Sequence, residues 1–123
     1  MEKNFILEDT QRYRAAYVEW LAFMKQPSIG GDNLANRDVQ KIFYPAYFYT
    51  ARTEYKMATL DPGIKDRQKF IDGAARMIIK LEFSKTKVGW EIAGPMFQEL
   101  LKEKEYEQLK KAYDHLKQMQ TPR

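Results

Sequence analysis

Few side chains in this sequence are spaced for chemistry. His115 is the only histidine. Asp114 adjoins it, but neither falls in the spacing of a Ser/His/Asp triad or a metal-ligand set, so a solvent-exposed or incidental histidine is expected. The carboxylates are scattered among bases, with no apolar-flanked pair to divide into general acid and general base. Gly30-Gly31 lacks the loop–helix context that cradles phosphate. There are no cysteines, which excludes disulfides, Cys-ligated zinc, iron–sulfur ligation and thiol catalysis. The run Phe43-Tyr44-Pro-Ala-Tyr47-Phe48-Tyr49 invites base stacking or a quinone site. Consecutive helical positions point in different directions, however, so these rings cannot form one platform. Some should fill the core and others cover neighbouring elements; outer rings left bare would mark a partner surface. The residues give no support to an enzyme, a bound metal or a cofactor of the chain's own.

The elements that must position these residues read as helices. Asp9 or Thr10 can cap a first helix. Tyr13, Ala16, Tyr17, Trp20, Leu21 and Met24 follow in the i, i+3, i+4, i+7, i+8, i+11 series of one face, which directs the Tyr13 ring to the core and sets Arg14 at the stripe's edge. Pro27 and Gly30-Gly31-Asp32-Asn33 end this helix in a loop. A second helix is expected over roughly 37–59, with Val39, Ile42, Phe43, Tyr47, Ala51, Tyr55 and Ala58 available for burial. Pro45 should kink it or mark its true first turn. Asp61-Pro62 reads as N-cap and first helical residue of a third helix reaching about Phe83, with a core face of Ile64, the Arg67 stem, Ile71, Ala74, Ala75, Ile78 and Leu81. Residues 84–94 read as a loop or short strand, with Trp90 as an anchor. Gly94-Pro95 then opens a fourth helix carrying Phe97, Leu101, Leu109, Ala112, Tyr113, Leu116 and Met119 on one stripe, with i,i+4 charge pairs outside.

The class is therefore all-α, a three-helix up-down bundle over residues 1–83 with a linker and C-terminal helical extension over 84–123. At 123 residues a chain can bury about two-thirds of its unfolded surface, enough for its own core. Hydrophobic residues make up 44% and charged residues 31%, a globular balance rather than a disordered one. The formal charge is +4, and the bases are dispersed among acids along the whole length. No segment reads as a nucleic-acid arm. Apolar runs fall far short of the ~20 residues needed to span a bilayer. The N-terminus resembles neither a secretory signal nor an Arg-rich transit peptide, so no cleavable presequence is visible.

One stretch carries more than helical patterning. Arg52-Thr-Glu-Tyr55-Lys56, the corner Asp61-Pro62-Gly-Ile64 and the series Phe70-Ile71-Asp-Gly73-Ala74 follow, in order and helical phase, the triplet Arg12-Tyr13-Arg14. Over about residues 9–83 this arrangement resembles the LYR-motif family, in which a Leu-Tyr-Arg triplet opens helix one and an Arg-x-x-Phe-Arg/Lys segment lies on helix two. Here Arg12 stands for the leucine and Tyr55 for the phenylalanine.

That resemblance implies a binding function. LYR proteins dock mitochondrial acyl carrier protein, whose phosphopantetheine-linked acyl chain inserts into the helical bundle. By position, Arg12, Tyr13, Arg14, Arg52 and Lys56 would form the docking end, with Arg52 and Lys56 as a basic pair one turn apart. Tyr17, Tyr55, Gly73, Ala74 and Ile78 would line the acyl tunnel, and the Tyr55 hydroxyl would need a polar partner there. The implied protein is a non-catalytic accessory or assembly subunit of a respiratory complex, most like the LYR subunits of complex I in the electron-transport chain. It would sit on the matrix side of the mitochondrial inner membrane, with other subunits of a large membrane complex as further partners. The acyl-phosphopantetheine belongs to the carrier protein. A free-standing helical adaptor, phage or bacterial, with no acyl ligand is the alternative. A helical nucleic-acid binder is disfavoured by the dispersed charge.

Overall fold

The protein is described by a computed structural model covering residues 3–5 and 12–120. The fold is all-α, a helical bundle: α1 Tyr13–Met24, α2 Arg37–Leu60, α3 Arg67–Glu82, α4 Val88–Leu100 and α5 Glu107–Gln120, with short 3-10 turns at Gly31–Ala35 and Lys104–Tyr106. The caps expected at Asp9 or Thr10 lie outside the described residues.

The 24-residue helix α2 is the centre of the architecture. Asn36 starts it: its side-chain oxygen accepts from the backbone N–H of Asp38 at 2.8 Å and of Val39 at 3.3 Å, satisfying two of the four free donors of the first turn. Pro45 is accommodated inside the helix. Helices α1, α3 and α4 all pack on α2, and α5 packs on α3. One continuous core joins Phe48, Ala51, Tyr55 and Ala58 of α2 to Ile71, Ala74, Ala75 and Ile78 of α3, Ala93, Phe97 and Leu100 of α4, and Leu109, Ala112 and Tyr113 of α5. Phe48 meets Phe97 edge-on with ring centres 5.0 Å apart. The first helix joins separately, through aromatic packing. Trp20 is fully buried, stacked on Tyr49 at 5.2 Å with Phe5 edge-on to both. The aromatic run thus divides as expected between core and neighbour-covering positions.

Three local expectations are corrected. The third helix does not begin at Asp61-Pro62. Asp61 is the C-cap of α2, its carboxylate accepts from Gly63 N–H at 2.9 Å, and α3 begins six residues later. Arg67 presents no stem to the core; its guanidinium donates to the carbonyl of Ala58 at 2.6 Å, tying the end of α2 to the start of α3. The second correction concerns residues 84–94, which are neither strand nor simple loop, because α4 already starts at Val88 and passes through Gly94 and Pro95. Gly89 permits this course. A Cβ there would lie 2.5 Å from both Leu81 Cδ1 and Tyr44 Cε1. Finally, the expected fourth helix is two helices, broken by a turn at 104–106 whose Tyr106 is buried; Met119, assigned to the stripe, is exposed.

The bundle's far end is fastened by a polar cluster. Glu82 of α3 accepts from Lys117 Nζ at 2.8 Å and from the Tyr113 hydroxyl at 2.5 Å. The pKa of Tyr113 is raised, chiefly by burial and then by this carboxylate.

Gly89→Ala should destabilise the protein by about 1–3 kcal/mol, the ordinary cost of overpacking, and Phe97→Ala by about 3–5 kcal/mol. Urea unfolding followed by circular dichroism measures both. A G89A protein as stable as wild type would show that α4 does not need this close approach.

Candidate functional site

The most unusual residue of the fold is Glu54. It lies in the Arg52–Lys56 segment, yet it is only 7% exposed. Its phase explains the burial: it falls three residues after Ala51, seven after Tyr47 and four before Ala58, on the apolar stripe of α2. The Tyr17 hydroxyl of α1 and Arg76 of α3 lie close enough to favour its charged form. Burial outweighs both and pushes its pKa up to about 7. Tyr17 is correspondingly raised to about 12, by burial first and then by Glu54. Tyr47 is raised for the same two reasons, and its hydroxyl donates to the carbonyl of Met77. Space for the carboxyl comes from Gly73 on α3, where a Cβ would stand 2.4 Å from Glu54 Oε2.

Tyr17 also lines an open groove of about 550 Å³, walled by Arg14 of α1, Met57 of α2, Gly63, Ile64, Lys65 and Asp66 of the corner, and Phe70 of α3. Its apolar surface comes from Met57, Ile64, Phe70 and the Tyr17 ring. Arg14 and Lys65 put cations at its rim. Arg14 is held there by Asp61, with Nη2 at 3.0 Å and Nε at 3.1 Å from Oδ2. The pair is exposed on the arginine side, so its stabilising effect is about 0–1 kcal/mol and its main consequence is positional.

The sequence-assigned residues are distributed unevenly over this geometry. Arg14 and Tyr17 line the groove. Arg12 is exposed just before α1, and Tyr13 is half-buried rather than fully inward; Ala16 and Trp20 are the residues α1 buries completely. Arg52 does not form an open basic edge with Lys56, because its guanidinium stacks 4.7 Å from the Tyr49 ring centre and 5.8 Å from that of Phe48. Tyr55, Ala74 and Ile78 are buried in the packed core. Tyr55 has the polar partner its hydroxyl requires, donating to the carbonyl of Glu105 at 2.7 Å, with its ring against Tyr106. Gly73 is a gap, but one occupied by Glu54. Sequence reasoning missed Glu54 itself, although its phase with Ala51 and Ala58 is readable. It also missed Ile64 and Lys65 as groove residues, because they were placed inside a helix.

Among the described residues no group of His, Asp or Glu is arranged to hold a metal ion, and no helix is long and apolar enough to cross a membrane. Fold and site together define a helical bundle with an apolar groove, rimmed by Arg14, Lys65 and Asp66, beside a buried carboxyl. Comparison with protein-family models, with curated proteins and with solved structures found no match.

Gly73→Ala should cost about 1–3 kcal/mol through overpacking against Glu54. The cost should shrink in a Glu54→Ala background, where the methyl enters vacated space. A double-mutant cycle by urea unfolding checks this; strictly additive substitutions would separate the two residues.

Proposed function

We propose that this chain is a non-catalytic accessory or assembly subunit of a mitochondrial respiratory complex of the complex I kind. In this reading it docks acyl carrier protein and takes up the acyl chain. The observation that carries the reading is the groove. Its apolar floor and its Arg14 and Lys65 rim lie where the triplet of α1 meets the 61–66 corner, two of the four features that carry the LYR resemblance. A carrier protein is acidic, and cations around an apolar slot steer and orient such a partner. Burying about ten methylenes at ~0.8 kcal/mol each supplies ~8 kcal/mol gross, less the cost of ordering the chain. A volume of this size suits a small apolar ligand. Laying the chain over Met57, Ile64 and Phe70 requires no rearrangement of Tyr55, Ala74 and Ile78 in the closed core. The outward face of α1 supplies a second surface: Ala15, Val18 and Ala22 are exposed one turn apart, Val18 by 58%. That face suits another subunit of the assembly. An adaptor without an acyl ligand would use the same face and leave the groove empty.

Co-expression with an acyl carrier protein, followed by intact-mass analysis of the isolated complex, tests the proposal. The expected result is a one-to-one complex carrying an acylated phosphopantetheine. Arg14→Glu with Lys65→Glu should weaken carrier binding at least tenfold, and Ile64→Glu should do the same with the rim intact. A carrier that binds both variants as it binds wild type would remove the groove from the function. A protein that purifies alone and ignores the carrier would leave the adaptor reading.

A further inference from the structure

We propose that Glu54 ties the seating of α1 to proton uptake, so that α1 is held in the bundle when this carboxyl is protonated and released more readily when it is ionised. The inference concerns the fold's own switching and does not depend on what occupies the groove.

The geometry sets the argument. Glu54 sits on the central helix and is shielded from water on two sides. Tyr17 of α1 lies against it on one side; the side-chain-free position Gly73 of α3 admits it on the other. Among the described residues, the ionisable groups that face it are Tyr17 from α1, Tyr47 from its own helix and Arg76 from α3. Arg52, two residues earlier, is turned onto the rings of Phe48 and Tyr49 instead. Arg76 is exposed, so its charge is screened by solvent.

Helices α3, α4 and α5 are knitted into one core with α2, whereas no residue of α1 belongs to that core. The first helix packs chiefly on α2, through Ala16 and the Trp20–Tyr49 stack, so its opening leaves the contacts among α2, α3, α4 and α5 in place. Its departure would uncover the carboxyl and let water solvate the charged form.

The direction follows from linkage. In the seated state the carboxyl titrates near 7, against 4.5 for the ordinary group. The seated state therefore binds more protons than the released one between these values. Seating is undisturbed below about 4.5, weakens as pH rises, and reaches its weakest level above about 7. Full recovery of the ordinary pKa on release would raise the opening constant of α1 about tenfold between pH 6 and pH 8.

Trp20 reports α1 directly. It is fully buried on that helix, and Trp90 is the only other tryptophan. In a Trp90→Phe protein, acrylamide quenching of Trp20 and hydrogen exchange of the α1 amides, corrected for intrinsic rates, should both show α1 opening about tenfold more at pH 8 than at pH 6. The α5 amides should change much less. Glu54→Gln should abolish the pH dependence. His115→Asn should leave it intact, which matters because histidines ordinarily titrate in this range. Carbon NMR of the Glu54 carboxyl in the wild-type protein should show titration over the same interval, a readout that stands even if E54Q folds poorly. The proposal is overturned by an α1 that opens equally at both pH values, by a dependence that survives E54Q or vanishes in H115N, by a rise shared equally by α1 and α5, or by a Glu54 carboxyl titrating at its ordinary pH.

Discussion

Everything in this bundle depends on burying α2 from several sides at once. A helix with neighbours on so much of its circumference cannot carry large side chains all round, because facing helices would be held too far apart to pack at interior density. The sequence answers with small residues on its contact faces: Ala46, Thr50, Ala51, Thr53 and Ala58 are all buried. The threonines bring hydroxyls into that interior, and each is satisfied locally. Thr50 donates to the carbonyl of Ala46 and Thr53 to that of Tyr49, both at 2.7 Å. Such back-bonding removes the penalty of a buried, unpaired hydroxyl without calling on another element. Glu54 and Tyr55 are not satisfied within their own helix: Tyr55 bonds the carbonyl of Glu105, while Glu54 brings a carboxyl into the interior. It draws on α1 and α3, and through it the central helix imposes a chemical condition on its neighbours.

Helical periodicity made the class and the central element legible. The expected span of α2 differs from the observed one by a single residue at its end, and the burial of Ala51, Tyr55 and Ala58 follows from phase, whereas Ile42, expected inside, is exposed and the buried Phe48 falls outside the expected set. Local signals failed where tertiary contacts outbid them. Asp61-Pro62 has the composition of a helix start, but the Asp61 carboxylate is already engaged by the Gly63 N–H and Arg14, and the next helix waits for Arg67. Gly94-Pro95 reads as a beginning, yet it lies within α4. Starting α4 earlier brings Gly89 against Tyr44 and Leu81, a close approach between residues 45 and 8 positions apart in sequence that no local pattern could announce. The candidate site was legible only in part. Arg14 and Tyr17 could be chosen because they stand on α1, whereas Ile64 and Lys65 join them only once the corner is known to be non-helical.

The segment from Arg52 to Gly73 thus changes meaning when folded. As a sequence it offered a basic edge, an inward tyrosine and a small-residue gap. In the structure the arginine lies on aromatic rings, the tyrosine bonds the turn before α5, and the gap opposite Gly73 is filled by the segment's own Glu54. The open space lies one element away, between α1 and the corner. A ligand reaching the deeper core would have to displace well-packed side chains, and the cavity left behind would carry its own cost. A ligand in the groove would replace only water on Met57, Ile64 and Phe70.

Tyr17 belongs to both the groove and the buried carboxyl. The residue forms part of the groove wall, and its hydroxyl lies close to the Glu54 carboxyl. Any occupant that packs on the ring and holds α1 against the corner would stabilise the seated state, in which Glu54 keeps its proton. Linkage then runs in both directions: if occupancy raises the proton affinity of Glu54 by some factor, protonation raises the affinity for the occupant by the same factor. The coupling needs no displacement of the core, because the two sites share one side chain on α1, which packs chiefly on α2. A groove connected in this way to a group titrating near neutral pH would fill more readily on the acid side of neutrality. The sign of that dependence is fixed by the burial of Glu54, not by the chemistry of the occupant.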